Sequence, residues 1–197
     1  MNEYVLILKG SPRENGNSST LAEQVAAGAK EAGAEVESLS LHTLDIRPCD
    51  ACDSCHETNG VCVIKDDMQA LYPKLRRASA IVVASPIYWF TVSAQAKLCI
   101  DRWYALETRQ GNELRGKKFG IILTYGDSDL YTSGGINAIH TFESMLRYLR
   151  AEMVGIVHGT ASDVGDAQKQ PELMEKAYRL GQKLVESDKN RPKLIPD

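Results

Sequence analysis

The sequence has no segment that would place the protein in a membrane or on a nucleic acid. No apolar run approaches the roughly 20 residues that a membrane-spanning helix needs. The first residues, Met1 to Tyr4, show neither the basic segment nor the long apolar run of a signal peptide. Lysine and arginine form no block, and the net charge is −3, which argues against a nucleic-acid surface. We therefore expect a cytoplasmic protein that binds neither membranes nor nucleic acids.

Several catalytic and nucleotide-binding motifs are also missing. The chain has no Gly-x-Ser-x-Gly elbow, so serine hydrolysis has no support. Its four histidines show no His-x-x-x-His spacing of the kind that holds a metal ion. No Gly-Lys-Ser/Thr closes a P-loop, and no Gly-x-Gly-x-x-Gly marks a dinucleotide-binding turn. A phosphate-binding loop in this chain must therefore be of another type.

What is present is the pattern of one domain in which strands and helices alternate. The chain has 197 residues, of which 43% are hydrophobic and 25% charged, and this is enough for one substantial core. Five apolar runs alternate with five amphipathic stretches, which predicts a parallel sheet with helices on both faces. We assign residues 1–188 to this domain, with a cysteine-rich loop at 47–63, and residues 189–197 to an irregular tail.

The predicted fold class is α/β, a flavodoxin-like three-layer sandwich around a five-stranded parallel sheet of order 2-1-3-4-5. In such sheets the ligand lies beyond the carboxyl ends of the strands. The loops after strands one, three and four should therefore carry ligand-binding residues. The third strand is predicted at Ala80–Ala84 and the third helix at Ser93–Ala105.

The loop at residues 10–20 follows the first apolar run and leads into a helical pattern. Unpaired amides and the macrodipole at a helix N-terminus favour an anion. Arg13 can add charge-assisted hydrogen bonds, and a loop rich in hydroxyls suits a terminal monophosphate. The alternative is that Asn17, Ser18 and Ser19 only cap the helix.

Two further loops have the composition of a ligand site. Tyr88, Trp89 and Phe90 are consecutive aromatic residues, which is not the spacing of a helix core. A flat, π-rich ligand would explain them, although they could instead plug the end of the sheet or fill an interface between copies of the chain. The loop at residues 125–135 is long, polar and rich in glycine, and by itself it is equally compatible with an ordinary surface loop.

Three motifs together resemble one protein family. They are Gly10-Ser-Pro-Arg-x-x-Gly-Asn-Ser-x-x-Leu21, Ser85-Pro-Ile-Tyr-Trp89 and Gln95-Ala-Lys-x-x-x-Asp-Arg102. In this order and spacing they resemble the NADPH-dependent FMN reductase family and its iron–sulfur flavoprotein relatives, from about residue 3 to 160. The resemblance implies a flavodoxin-like fold, bound FMN and electron transfer from a nicotinamide nucleotide.

The resemblance also implies positions for the cofactor. By position, the FMN phosphate would be held by Ser11, Arg13, Asn17, Ser18, Ser19 and Thr20. The isoalloxazine would be bordered by Pro86, Ile87, Tyr88, Trp89 and Phe90, and its third side would be closed by Tyr125 and Gly126. Lys97, Asp101 and Arg102 are interpreted as structural or interface residues on a helix face.

Four of the five cysteines lie in one short segment, at Cys49, Cys52, Cys55 and Cys62. Two successive Cys-x-x-Cys spacings are similar to the ferredoxin run that ligates an iron–sulfur cluster, and iron–sulfur flavoproteins have a compact motif at about this place in the chain. We therefore predict these four residues as ligands of a [4Fe–4S] cluster. Free thiols, zinc and redox disulfides remain open alternatives. Cys99 is predicted to pack in the core.

The resemblance implies an FMN-dependent oxidoreductase that passes electrons from NAD(P)H through bound FMN to a quinone, a flavin or a protein. No residue is predicted as a general acid or base, because the isoalloxazine carries the chemistry. Two other classes remain open: an electron carrier that uses FMN and a cluster between protein partners, and a module that binds FMN without catalysis. The aromatic loop favours a homodimer or homotetramer that completes the flavin pocket.

Overall fold

The structure of the protein is a computed structural model that describes residues 3–186. The tail expected at 189–197 and the two ends of the expected domain lie outside these residues. Within the described range, helices are either too short or too polar to cross a membrane.

The predicted sheet order is confirmed. Five parallel strands lie in the order β2-β1-β3-β7-β8, and a short strand, β4, pairs antiparallel with β3. A two-stranded hairpin, β5-β6, lies apart from this sheet. The strands are β1 (Tyr4–Lys9), β2 (Glu35–Ser40), β3 (Ala80–Tyr88), β4 (Thr91–Val92), β5 (Glu107–Thr108), β6 (Gly111–Asn112), β7 (Lys118–Tyr125) and β8 (Glu152–Thr160).

Helices cover both faces of the sheet and follow the strands that they connect. They are α1 (Asn17–Glu31), α2 (Ser54–Glu57), α3 (Met68–Arg77), α4 (Ala94–Asp101), α5 (Gly135–Leu149) and α6 (Pro171–Val185), with 3-10 helices at Leu41–Thr43 and Arg102–Leu106. Side chains alternate between the two faces of a strand. In β1, Leu6 packs in the core under α3, α4 and α5, whereas Val5 and Ile7 pack under α1 and α6. Both cores need apolar residues, which explains the continuous apolar strands.

Helices α1 and α6 approach each other through glycines. A Cβ on Gly28 of α1 would lie 2.0 Å from the carbonyl oxygen of Tyr178, and one on Gly181 of α6 would lie 2.1 Å from that of Val25. Only a residue without a side chain allows this approach. The contact fixes α1, and therefore the N-terminus of α1, against the rest of the domain.

Two predicted boundaries are wrong. The third strand does not end at Ala84 but continues to Tyr88 and turns back into β4, because Ser85 and Pro86 still pair with β7. The helix predicted at Ser93–Ala105 does not run to residue 105: it corresponds to α4, which ends at Asp101, and a 3-10 helix follows it. Arg102 is the first residue of this 3-10 helix.

Candidate functional site

A cleft of about 390 Å³ lies at the carboxyl ends of β1, β3, β7 and β8. This is the edge at which the fold class predicts a ligand. The residues that line it come from four segments of the chain, at the ends of these strands and at the start of α1: Ser11, Arg13, Gly16, Asn17, Ser18, Pro86, Ile87, Tyr88, Thr124, Tyr125, Gly126, Ala161, Ser162 and Asp163. Nine of the thirteen predicted cofactor residues are therefore brought together, and Ser19, Thr20, Trp89 and Phe90 are outside the lining.

One end of the cleft is formed by the N-terminus of α1. Its N-cap is Gly16, which offers no capping side chain, and its first turn contains no acidic residue. The first amides of a helix have no partners within the helix. The hydroxyl of Ser18 is buried there and has no hydrogen-bond partner among the described residues. The first amides of α1 and the Ser18 hydroxyl are therefore available hydrogen-bond donors at the same end of the cleft. Such a group of donors at a helix N-terminus is typical of an anion-binding site.

The loop before α1 is built without room for another side chain. A Cβ on Gly16 would lie 2.5 Å from Ser11 Oγ and 3.2 Å from the carbonyl oxygen of Arg13. The hydroxyl of Ser11 accepts a hydrogen bond from the amide of Arg13 at 3.1 Å. The Arg13 guanidinium reaches across the cleft and donates to the carbonyl of Ser162 at 3.1 Å. A positive charge therefore lines the same cleft as the N-terminus of α1.

Asn17 lines the cleft, but its side chain is committed to the loop that follows β8. Its Nδ2 donates to the carbonyls of Ala161 at 3.0 Å and Asp163 at 2.8 Å, and its Oδ1 accepts from the amide of Ala167 at 3.1 Å. The side chain therefore acts as a tie between α1 and this loop. In the described geometry, the contribution of Asn17 to an anion site lies in its backbone.

We expect the substitution Asn17→Ala to lower the free energy of unfolding by about 2 kcal/mol, because it leaves buried partners of the loop without hydrogen bonds. Urea unfolding followed by circular dichroism measures this change. Thr43→Ala, which removes an exposed hydroxyl bonded to the Ser40 carbonyl, is the control and should change stability little. Equal stability of Asn17→Ala and the unmodified protein would contradict the conclusion that the Asn17 side chain links α1 to the loop after β8.

The loop after β8 is the part of the site that the sequence reasoning missed. Ala161, Ser162 and Asp163 line the cleft, and the Ser162 hydroxyl donates to the carbonyl of Gly126 at 3.1 Å. The loop contains no motif of its own. The signal that could have found it is topological, because β8 neighbours β7 and ends at the same edge of the sheet.

The aromatic segment splits into two parts. Pro86, Ile87 and Tyr88 belong to β3 and line the cleft. Trp89 and Phe90 form the turn between β3 and β4, both with positive φ, at 49° and 69°, which is the conformation of a two-residue hairpin turn that glycine and asparagine usually fill. Strained residues of this kind persist where the surroundings require them.

The surroundings of Trp89 and Phe90 differ. Phe90 lies against the start of α5, where a Cβ on Gly134 would approach Phe90 Cβ to 2.5 Å, and Asn137 Nδ2 donates to the Phe90 carbonyl. Trp89 is 91% exposed and contacts the Phe90 ring edge-on, with 5.9 Å between the ring centroids. A large apolar side chain therefore projects from a fixed turn near the mouth of the cleft.

Tyr125 closes another side of the cleft, with Gly126 after it. Its hydroxyl lies 3.0 Å from Nδ1 of His158. Burial, followed by the charge of Asp129, raises the pKa of Tyr125. Burial, followed by the charge of Lys176, lowers the pKa of His158. The pair is therefore uncharged near neutral pH and orients the phenol ring.

The four clustered cysteines face one small cavity of about 20 Å³ beneath the loop at 47–63. Cys55 and Cys62 are buried, and Cys49 and Cys52 are exposed. Burial, followed by the neighbouring Cys62, raises the pKa of the Cys55 thiol. Cys99 is buried elsewhere in the core, as predicted.

Arg102 reaches this cavity, so it is a structural residue, as one of the two interpretations has it, but one that is buried beyond the end of α4. Its side chain is fully buried, is ion-paired with the equally buried Asp66, and donates from Nη2 to Cys62 Sγ at 3.4 Å. Burial by itself would raise the pKa of Asp66, but the hydrogen bonds from Arg102 and from the amide of Arg47 outweigh it and keep that pKa low. Asp66 Oδ1 also accepts a hydrogen bond at 3.1 Å from the amide of Met68, the first residue of α3.

Fold, cleft and motifs define a flavodoxin-like flavoprotein, and comparison with known proteins supports this. The family model described as NADPH-dependent FMN reductase matches residues 4–163. The chain therefore belongs to the NADPH-dependent FMN reductase family, whose members are FMN-dependent oxidoreductases.

Two relatives extend over almost the whole chain. An iron-sulfur flavoprotein of Methanocaldococcus jannaschii is 32% identical over 187 residues, which cover 92% of this chain and 95% of that protein. An iron-sulfur flavoprotein of Archaeoglobus fulgidus is 30% identical over 189 residues, which cover 95% of this chain and 81% of that protein. This chain is thus similar to iron-sulfur flavoproteins.

Solved structures agree on the fold. The NAD(P)H:quinone oxidoreductase of Methanothermobacter marburgensis superposes with a TM-score of 0.75 at 17% identity, covering 97% of this chain and all of that chain. An archaeal flavodoxin superposes with a TM-score of 0.57 at 14% identity, covering 92% and 96%. At these identities the likeness establishes the flavodoxin-like fold alone.

The cleft fits FMN by its donors. The unpartnered Ser18 hydroxyl, the uncapped start of α1 and the Arg13 guanidinium suit a phosphate, and the cleft continues from there to Pro86, Tyr88 and Tyr125. The cysteine cavity fits an iron–sulfur cluster by the chemistry of its four thiols. However, within residues 3–186 no group of three or more cysteine, histidine or acidic side chains is already arranged around one metal position, so the thiols would have to draw together.

Proposed function

We propose that this protein passes electrons from NAD(P)H through bound FMN to an acceptor such as a quinone, a flavin or a protein. The observation that carries the proposal is the buried, unpartnered hydroxyl of Ser18 at the uncapped N-terminus of α1, inside the cleft. An unpaired buried hydroxyl is costly unless a ligand satisfies it. The family supplies the class of ligand, and residues 1–188 would form the one domain that holds it.

In this proposal, different residues of the cleft bind the phosphate and the isoalloxazine of FMN. Ser11, Arg13, Ser18 and the amides of α1 would hold the phosphate, since charge-assisted hydrogen bonds are the strong ones. Ser19 would act through its backbone amide, whereas the Thr20 amide already donates to the Gly16 carbonyl at 2.9 Å, so Thr20 would act through its hydroxyl. Pro86, Ile87 and Tyr88 would border one side of the isoalloxazine, and Tyr125 and Gly126 another. When bound, FMN supplies the acceptor of the hydride, so the protein needs only to bind, orient and exclude water.

Trp89 and Phe90 have a separate role in this proposal. They are 91% and 53% exposed, beside the cleft. Exposed aromatic residues on a fixed turn are typical of interaction sites. A homodimer or homotetramer would cover them and close the flavin pocket against water. Trp89→Ser would then shift the protein to monomers in analytical ultracentrifugation.

The donor step is tested by rapid mixing without oxygen. The FMN-loaded protein is mixed with NADH or NADPH, and the flavin absorbance is followed. We expect at least one nucleotide to bleach the flavin band on the timescale of an enzyme turnover. Dithionite, which reduces flavin chemically, is the control for a reducible cofactor. A flavin that dithionite bleaches and both nucleotides leave oxidised would contradict the NAD(P)H-dependent activity.

A second candidate function is an electron carrier in which FMN works with a [4Fe–4S] cluster. The observation that favours it is that Cys49, Cys52, Cys55 and Cys62 face one cavity, and relatives of similar length are named iron-sulfur flavoproteins. A cluster there would supply one-electron chemistry beside the two-electron chemistry of the flavin. The acceptor would then be a protein partner.

The ligand set of this second candidate is tested by single substitutions in protein purified without oxygen. We expect Cys55→Ser and Cys62→Ser to lower the iron and sulfide content severalfold, because each removes a thiolate ligand. Cys99→Ala, a buried cysteine outside the cavity, is the matched control and should keep the iron content of the unmodified protein. Equal iron in all of these proteins would contradict the proposed ligands.

A further inference from the structure

The buried pair Arg102–Asp66 is unusual because no solvent reaches either side chain. Both side chains have a relative exposure of 0%. Arg102 Nη2 donates to Asp66 Oδ1 at 3.2 Å, and Nη1 donates to Asp66 Oδ2 as well. The Nε atom of Arg102 is buried and has no hydrogen-bond partner among the described residues. Apolar residues of similar volume can often replace a buried ion pair without loss of stability, so the pair calls for a further explanation.

The pair joins the two stems of the cysteine loop. Arg102 Nη1 donates to the carbonyl of Arg47 at 2.8 Å, before the first cysteine. The amide of Arg47 donates to Asp66 Oδ2 at 3.0 Å, after the last cysteine. The side chain of Arg47 also donates to the carbonyl of Lys65 at 2.9 Å. Arg102, which comes from the far end of α4, therefore fixes the base of the loop at 47–63.

The same guanidinium faces the thiols. It lines the cavity, and its Nη2 lies 3.4 Å from Cys62 Sγ. The charged residues that line this cavity with it are Asp50, Asp53 and Asp101, so Arg102 is the only cation among the described residues of the lining. One N–H of a guanidinium whose charge is balanced by Asp66 is therefore placed at a sulfur atom, in a cavity whose other charged residues are acidic.

We propose that Arg102 is a positioning residue of the four-thiol site, which holds Cys62 by a hydrogen bond to its sulfur and raises the reduction potential of an iron–sulfur cluster bound there. The proposal rests on the second candidate function. Hydrogen bonds to cluster sulfurs and nearby charge set the potentials of such clusters. A hydrogen bond donated to a sulfur of the cluster stabilises the reduced form, which carries the extra negative charge, more than the oxidised form.

The test compares three variants with the unmodified protein, all purified without oxygen and loaded with FMN. Arg102→Met with Asp66→Asn removes both charges together, so that neither partner is left as an uncompensated buried ion. Arg102→Lys keeps the charge but cannot bridge both stems. Arg77→Met is the control, since Arg77 pairs with Glu35 and lies over the Tyr4 ring, away from the cavity. Flavin content and thermal unfolding report whether each variant is folded.

The readouts are the midpoint potential of the cluster, from a titration followed by electron paramagnetic resonance, and the rate at which a chelator removes iron. We expect the double variant to show a more negative midpoint and iron loss about tenfold faster or more. Arg102→Lys should lie between this variant and the unmodified protein, and Arg77→Met should match the unmodified protein. If the midpoint potential of the cluster and the rate of iron loss are unchanged in the folded double variant or in Arg102→Lys, the proposed role of Arg102 is wrong. The second candidate function would not be affected by that result. Unmodified protein without iron would overturn the second candidate function and this proposal together.

Discussion

Replacing Ser18 with alanine is expected to weaken FMN binding by about 10- to 100-fold while leaving the apoprotein as stable as before or slightly more stable. The loss of affinity follows from one hydrogen bond to a charged phosphate, which contributes about 1.5–3 kcal/mol. The hydroxyl is buried and has no partner among the described residues. It therefore contributes nothing to the stability of the apoprotein by hydrogen bonding.

Ser18→Ala is expected to lower the affinity for FMN without lowering the stability of the apoprotein. This combination distinguishes a ligand-binding role of Ser18 from a structural role. If Ser18 only capped the helix, alanine would lower stability by about 1 kcal/mol. The measurements are a fluorescence titration with FMN and urea unfolding of the apoprotein. Thr141→Ala removes another helix hydroxyl, exposed and bonded to the carbonyl of Asn137, and should leave FMN affinity unchanged. Loss of stability without loss of affinity in Ser18→Ala would favour the cap.

Replacing Gly28 with alanine is expected to destabilise the protein by about 2–4 kcal/mol, which corresponds to a fall of roughly 5–15 °C in the melting temperature. The added Cβ would lie 2.0 Å from the carbonyl oxygen and 2.9 Å from the carbonyl carbon of Tyr178. Both are backbone atoms, so the clash cannot be relieved by a side-chain rotation. Helices α1 and α6 would have to move apart, and the intrinsic preference of alanine for helices offsets only about 1 kcal/mol.

The N-terminus of α1 is part of the proposed phosphate site. Because Gly28→Ala would displace α1, it should also weaken FMN binding in the fraction of the protein that remains folded. Differential scanning calorimetry and an FMN titration measure the two effects. Ser144→Ala, at an exposed position of α5, changes a helix surface without a close helix contact and should melt within about 2 °C of the unmodified protein. A melting temperature of Gly28→Ala equal to that of the control would show that the two helices are not packed as described.

The fold could be predicted from the sequence because its signals are local and repeated. Continuous apolar runs and amphipathic stretches alternate five times, and side-chain periodicity decides strand or helix in each. The extent of β3 could not be predicted in this way. Ser85 and Pro86 are typical loop residues, yet they remain in the sheet because β7 offers partners to them. Pairing with a distant strand overrides local preference.

The site was predictable where a motif carries it and not where tertiary contacts do. The glycine- and hydroxyl-rich loop and the segment at Pro86 identify two walls of the cleft. The role of Asn17 as a tie depends on Ala161, Asp163 and Ala167, which lie about 150 positions away in the sequence. Likewise, Arg102 lies beside Cys62 because the chain changes direction after α4. The spacing of residues in the motif that ends at Arg102 does not indicate this contact.

The most direct test of the proposed function is one absorption spectrum of the protein purified without oxygen, with FMN, iron and sulfide assayed in the same sample. We predict flavin bands from about one FMN per chain, as one cleft per chain requires, above a broad absorbance that reductant bleaches, with iron and sulfide in equal amounts. Flavin bands without iron would contradict the cluster at the four thiols and leave the FMN reductase activity. A colourless protein that takes up no FMN on reconstitution would contradict the cofactor site at Ser18 and with it the proposed function.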